Sequence, residues 1–164
     1  MATKNKHKNT FLSFRLGKEI FAVTVKKVLE VLQKQYITEM PDMPDYIRGV
    51  VNFRGDILPV IDARIKFKMK TTNLESYVII VLEITENDKN IRVCALVDSV
   101  KDVISVDDND IKPVPEMGLK YNAEYLQGMI QTNESFITIL DVDKIFTTQQ
   151  IEQFQNLKGV NSGI

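Results

Sequence analysis

The chain carries 22 Asp and Glu and 21 Lys and Arg, yet spacing marks out no carboxylate pair for acid–base work, and His and Cys occur once each. The only histidine, His7, lies in a polar N-terminal stretch, and the only cysteine, Cys94, lies in an apolar run. A Ser–His–Asp or Cys–His arrangement needs a histidine held by a folded element, so neither is expected. Zinc needs several Cys or His ligands at fixed spacing, which one of each cannot supply. Asp107-Asp108-Asn109-Asp110 is the most cation-like cluster. It lacks the central glycine and terminal glutamate of a calcium loop and reads as a solvated turn. Neither G-x-x-x-x-G-K nor G-x-G-x-x-G occurs, so no loop is built to cradle phosphate. Cys94 reads as a buried structural thiol. What remains is Arg54 beside Gly55, a five-donor cation in a tight turn. It can hold a partner's carboxylate, or it can bridge carboxylates and carbonyls within the fold and lock its halves together. The first role is recognition and the second structural; neither is catalysis. No enzyme, cofactor or metal is expected.

The elements around Arg54 follow from local pattern. Val50–Phe53 and Ile57–Ile61 are β-branched and aromatic runs, and Gly55 supplies the positive φ of the hairpin between them. Asp62 is placed to cap a one-turn helix over Ala63–Phe67. Earlier, Phe11–Leu16 and Glu19–Val23 read as a hairpin turning at Gly17-Lys18. Thr24 is placed to cap a helix through Val25, Val28, Leu29 and Leu32, which share a face at 3.6-residue spacing. Pro41 and Pro44 interrupt the chain. Tyr77–Ile84 is almost wholly apolar and reads as a strand buried on both faces, returning through Ile91–Val97 after a turn at Glu86–Asn90. Asn133-Glu134 is the last hairpin turn. A C-terminal helix over 147–158 would bury Ile151, Phe154 and Leu157.

The chain also repeats itself. Tyr46–Phe67 aligns without a gap on Tyr125–Phe146, matching Gly49 to Gly128 and Asp62 to Asp141. Val25-x-x-Val28-x-Glu30-Val31 echoes Val97-x-x-Val100-x-Asp102-Val103, and Pro41 echoes Pro113. An insertion near Met117–Glu124 separates the two echoes in the second half. The expected architecture is mainly β: two related subdomains, about 11–70 and 75–146, with a terminal strand able to cross between them. A basic tail over 1–10 is expected to be disordered, and 159–164 to form a second tail. Gly49 and Gly55 are expected to serve backbone needs. Two units imply a seam, and seams commonly bind partners.

Composition narrows the partners. A formal net charge of −1 gives no field to draw nucleic acid or an anionic membrane. No apolar run approaches the roughly 20 residues that span a bilayer, and no apolar stretch follows the N-terminal charges as in a secretory signal. A cytoplasmic protein that neither inserts in membrane nor binds nucleic acid is expected.

Gly49-Val-Val-Asn-Phe-Arg-Gly55, followed by Leu58-Pro-Val-Ile-Asp62, closely resembles the chemotaxis coupling protein family, CheW. There the stretch usually reads G-V-I-N-L-R-G and then P-V-V-D-L. Phe14–Phe21 resembles the family's first hairpin, Val25–Val31 its first helix, and Leu96–Val103 the second-half counterpart. The resemblance runs from Phe11 to Phe146. Phe53 and Ala63 replace the usual leucines, and Cys94 replaces a frequent glycine on a strand near the family's groove, where it would narrow that groove or alter which receptors fit.

The resemblance implies two packed five-stranded SH3-like β-barrels and an adaptor role. Such an adaptor would link the hairpin tip of a transmembrane, methyl-accepting chemoreceptor to the regulatory domain of a CheA-type histidine kinase, pairing with that domain in rings within receptor arrays; self-association in rings without the kinase is left open. It implies a receptor groove of Val28, Glu30, Val31 and Arg54 faced by Val78, Ile79, Val100 and Val103. Kinase contacts would lie at the barrel ends, at Phe14, Ile20, Met40, Ile47, Leu126 and Met129. The rivals are an adaptor of the same fold joining a non-chemotactic sensor to a related kinase, and a barrel that binds a small ligand or oligonucleotide. The charge balance and the absence of tryptophan speak against the oligonucleotide form.

Overall fold

The computed structural model describes residues 8–33, 35–69, 76–115, 123–133 and 135–162. Most of the insertion expected near Met117–Glu124, the residues 70–75 between the expected subdomains, Glu134 of the expected last turn and the extreme termini lie outside them. Among the described residues eleven strands form: β1 (Lys8–Leu16), β2 (Glu19–Thr24), β3 (Val28–Leu32), β4 (Ile47–Phe53), β5 (Asp56–Asp62), β6 (Val78–Glu86), β7 (Lys89–Val97), β8 (Ser99–Asp107), β9 (Ile111–Lys112), β10 (Leu126–Gln131) and β11 (Phe136–Leu140). The helices are α1 (Ala63–Lys66) and α2 (Thr148–Ser162). Among the described residues no helix is long and apolar enough to cross a membrane. β1 begins at Lys8, so the expected tail gives up its last residues to a strand. α2 runs to Ser162, past the expected stop at 158. Thr147 starts it as a capping box: its hydroxyl accepts from the Gln150 amide while Gln150 Oε1 accepts from the Thr147 amide.

Two sheets form, one of five strands in the order β3-β6-β7-β5-β4 and one of six in the order β8-β1-β2-β11-β10-β9. The sixth strand is only the two-residue β9. The division expected near 70–75 is therefore corrected. One sheet takes residues 28–97, and the other takes 8–24 together with 99–140. Each half gives its hairpin to the other half's sheet. In pairing, β1–β2 stands to β8 and β11 as β6–β7 stands to β3 and β5. The repeat holds residue by residue: Val28 lies opposite Leu82 and Val100 opposite Phe14, Val31 opposite Ile80 and Val103 opposite Leu12.

The helix expected through Val25–Leu32 does not form. A 3₁₀ turn covers Val25–Lys27, with Thr24 accepting from the Lys26 amide, and β3 follows at once. A bulge between Val28 and Glu30 puts Val28 on one face of the sheet and Leu32 on the other. The extra residue turns a period of two into a spacing that imitates a helix. The β-branched valines suit the strand.

Three apolar clusters hold the structure. The largest fills the seam, with Phe14, Phe21 and Leu140 from the six-stranded sheet against Ile80, Leu82 and Ile61 from the other. Each sheet also rolls around a smaller core of its own: Phe53, Leu58, Ile79 and Cys94 in one, Phe11, Ala22, Ile130 and Ile139 in the other. Hence β6 is buried on both faces from Ile79 to Leu82, as its almost wholly apolar run implied. α2 closes one side through Ile151 and through Phe154, which meets Phe146 edge to face at 5.2 Å.

Candidate functional site

The β4–β5 turn is the most constrained surface feature. Arg54 and Gly55 both have positive φ, 54° and 88°, the geometry of a two-residue hairpin whose twist matches its strands. The Gly55 amide donates to Asn52 Oδ1 at 2.9 Å, so the N-x-R-G order is a turn that holds itself. Arg54 then projects with its side chain 70 % exposed, lies 4.8 Å from the Phe53 ring centroid, and forms an ion pair with Glu30 on β3. Both partners belong to the five-stranded sheet, so Arg54 does not bridge the two sheets.

The cross-sheet link is made elsewhere, by residues the sequence did not single out for it. Arg64, on α1 below the five-stranded sheet, grips Asp98 through Nε at 2.8 Å and through Nη2. Asp98 also accepts at 2.8 Å from the Gly17 amide, in the β1–β2 turn of the other sheet, and its own amide donates to the Arg15 carbonyl. The bond to Asp98, opposed by burial, raises the already high pKa of Arg64. The available clue was position: Asp98 falls where the chain passes from one sheet to the other.

The glycines and aspartates of the repeat serve the backbone. A Cβ on Gly49 would stand 2.1 Å from the Thr38 carbonyl oxygen, where residue 38 bridges to Val50. A Cβ on Gly128 would stand 2.6 Å from Ile111, where β9 crosses at the matching place. Asp62, buried, accepts from the amides of Arg64 and Ile65 and pairs with Arg48 at 3.3 Å. Asp141 accepts from the Asp143 amide in the same way.

The expected groove residues divide by position. Val28, Val78 and Val100 are half-buried at the margin of the seam core, from both sheets. Glu30 is half-buried beside Arg54, while Val31 (39 % exposed) and Val103 (63 %) face outward, next to the equally exposed Leu29. Ile79 is fully buried in the inner core of its sheet, so it is not a groove wall. Cys94 lies in that same core and does not narrow any groove; burial pushes its thiol up to about 12. The expected barrel-end residues divide too. Phe14 and Ile47 are core residues turned toward the seam. Ile20, Met40, Leu126 and Met129 stay half-exposed.

Lys66 approaches three rings from the repeat: Tyr46 at 5.0 Å, Phe146 at 5.4 Å and Tyr125 at 5.7 Å. Burial, with Lys68 nearby, lowers its pKa. Its Nζ donates to Gln150 Oε1 at 3.3 Å, tying α2 to the aromatic cluster. Among the described residues no three His, Cys, Asp or Glu side chains gather as a metal site would require. The arrangement presents apolar rims with the Glu30–Arg54 ion pair beside them, suited to holding other proteins.

Comparison with known proteins agrees. The CheW-like domain family matches residues 10–150. The chemotaxis protein CheW of Klebsiella aerogenes is 33% identical over 148 residues, covering 90% of this chain and 87% of that protein. Protein FrzA of Myxococcus xanthus is 28% identical over 151 residues, covering 90% and 91%. The crystal structure of the scaffolding protein TtCheW from Thermoanaerobacter tengcongensis superposes with a TM-score of 0.76 at 28% identity, covering 86% of this chain and 94% of that one. With the two rolled sheets, the exchanged hairpins and the self-held Arg54 turn, these matches place the chain in the CheW-like domain family of chemotaxis scaffolds.

Proposed function

We propose that this protein is a cytoplasmic adaptor that couples the hairpin tip of a methyl-accepting chemoreceptor to the regulatory domain of a CheA-type histidine kinase, recruited with it to membrane arrays. The observation that carries this reading is the exposed apolar rim of β3 and β8 beside the Glu30–Arg54 pair. A receptor helix would lay an apolar face along Val28, Val31, Val78, Val100 and Val103. Arg54 and Glu30 would fix its register through a charged side chain. Ile20, Met40, Leu126 and Met129 would meet the kinase, separately from the rim. The adaptor would act by geometry, through two interfaces of modest size linked in one rigid body.

Co-sedimentation with receptor-containing membranes tests the rim. Val103→Asp changes an exposed residue and should leave the melting temperature within about 2 °C. It should still abolish co-sedimentation. A variant that sediments like the parent would refute the assignment.

A further inference from the structure

The two halves differ at one place where their repeat is otherwise close, and a groove lies there. In the five-stranded sheet Phe53 is buried in that sheet's own core, and Arg54 reaches Glu30 on the edge strand. The aligned residues in the other half are Thr132, Asn133 and Asp102. Thr132 cannot fill the volume of a phenylalanine, and its hydroxyl is spent within its own turn, donating to the Ser135 carbonyl at 2.8 Å and accepting from the Ser135 amide at 3.0 Å. Asn133 has no charge to offer Asp102. Among the described residues no such ring and ion pair plug the matching place between β8 and the β10–β11 hairpin, where a groove of about 610 Å³ lies.

The groove has a definite chemistry. Ile20, Ile104 and Ile137 border it below, packed on or within the small core of the six-stranded sheet. Arg15 and Lys18, from the β1–β2 hairpin, and Lys101, from β8, line it against Asp102, the one carboxylate among its described lining residues. None of these three cations has an ion-pair partner among the described residues. In a chain of net charge −1 this is a local excess of positive charge over an apolar floor.

We propose that this groove binds an extended acidic segment of a partner protein. Side chains of an extended peptide alternate in direction, so carboxylates can meet the cations while apolar side chains reach the isoleucines. The groove shares β8 with the proposed receptor rim and Ile20 with the proposed kinase contacts, but its cations Arg15, Lys18 and Lys101 belong to neither, and the proposal does not depend on which receptor or kinase the adaptor serves.

The test is a titration of the full chain, followed by amide chemical shifts, with a labelled peptide of about eight residues alternating glutamate and valine. Saturable shifts at Ser13, Lys101 and Ser135 are expected. The double variant Arg15→Glu, Lys101→Glu should weaken binding by about tenfold or more. Thr132→Phe with Asn133→Arg transplants the plug and should also abolish it, with circular dichroism verifying the fold. The proposal is overturned by no saturable shift, by equal binding of a lysine–valine peptide, by inorganic phosphate alone giving the same shifts, or by undiminished binding to the charge-reversed variant.

Discussion

Glu30 and Arg54 belong to opposite edges of the five-stranded sheet and nonetheless form an ion pair. Glu30 sits on edge strand β3, and Arg54 at the tip of the hairpin formed by the last two strands in the order. Their contact shows how far the sheet rolls. With Arg54 largely exposed the pair contributes little to stability, on the order of 0–1 kcal/mol. Glu30→Ala and Arg54→Ala should therefore each shift the urea midpoint only slightly, yet both should lose receptor co-sedimentation. A large loss of stability with receptor binding intact would assign the pair to the fold alone.

Asp98 should behave in the opposite way. Its carboxylate holds a mostly buried guanidinium and a backbone amide from the other sheet. Removing it in Asp98→Ala leaves Arg64 charged and unpartnered by Asp98 in a poorly solvated place, at a cost of about 3 kcal/mol. Arg64→Met with Asp98→Ala removes both charges together. The double variant should lose less than the two single losses combined, leaving a coupling of about 1–3 kcal/mol in a denaturation cycle. Strict additivity would deny the cross-sheet link.

The two glycines of the Arg54 motif should differ sharply. Gly49→Ala drives a Cβ into the backbone of residue 38, with φ already at +149°, and should cost about 3 kcal/mol or prevent folding. Gly55→Ala meets nothing within 4 Å and pays only for its positive φ, about 1 kcal/mol. Thermal unfolding of the two variants compares them directly.

Cys94 gives the pH dependence. Its folded pKa, about 12, lies above that of a free thiol, so between the two values the folded state holds the proton more firmly than the unfolded chain. Its contribution to stability is complete below the free-thiol range and declines as pH rises through about 8.5 toward 12. Cys94→Ala should remove that decline while itself costing about 1 kcal/mol in packing. Native protein at pH 8 should resist a thiol reagent that reacts at once in denaturant. Rapid native labelling would contradict the burial.

Much of this was legible in the residues. The repeat, the Gly55 turn, the Asp62 cap and the doubly buried β6 each rest on one local rule that tertiary structure left in force. What could not be read was non-local. The bulge at Val28–Glu30 gave a strand the spacing of a helix. The exchange of hairpins depends on parallel pairings, β2 with β11 and β5 with β7, that carry no local mark. Ile79 and Val78 are chain neighbours of like chemistry, and only the pleat decides that one enters a core while the other reaches the rim. Asp98 looked like any residue between strands until Arg64 and Gly17 met it.

The most direct measurement is a calorimetric titration of the purified chain with the regulatory domain of a CheA-type kinase from the same genome. The adaptor reading expects one-to-one binding with Kd of micromolar order or tighter. It also expects Ile20→Asp or Met129→Asp to weaken that binding while Val103→Asp leaves it unchanged. No binding to any such domain would contradict the coupling role.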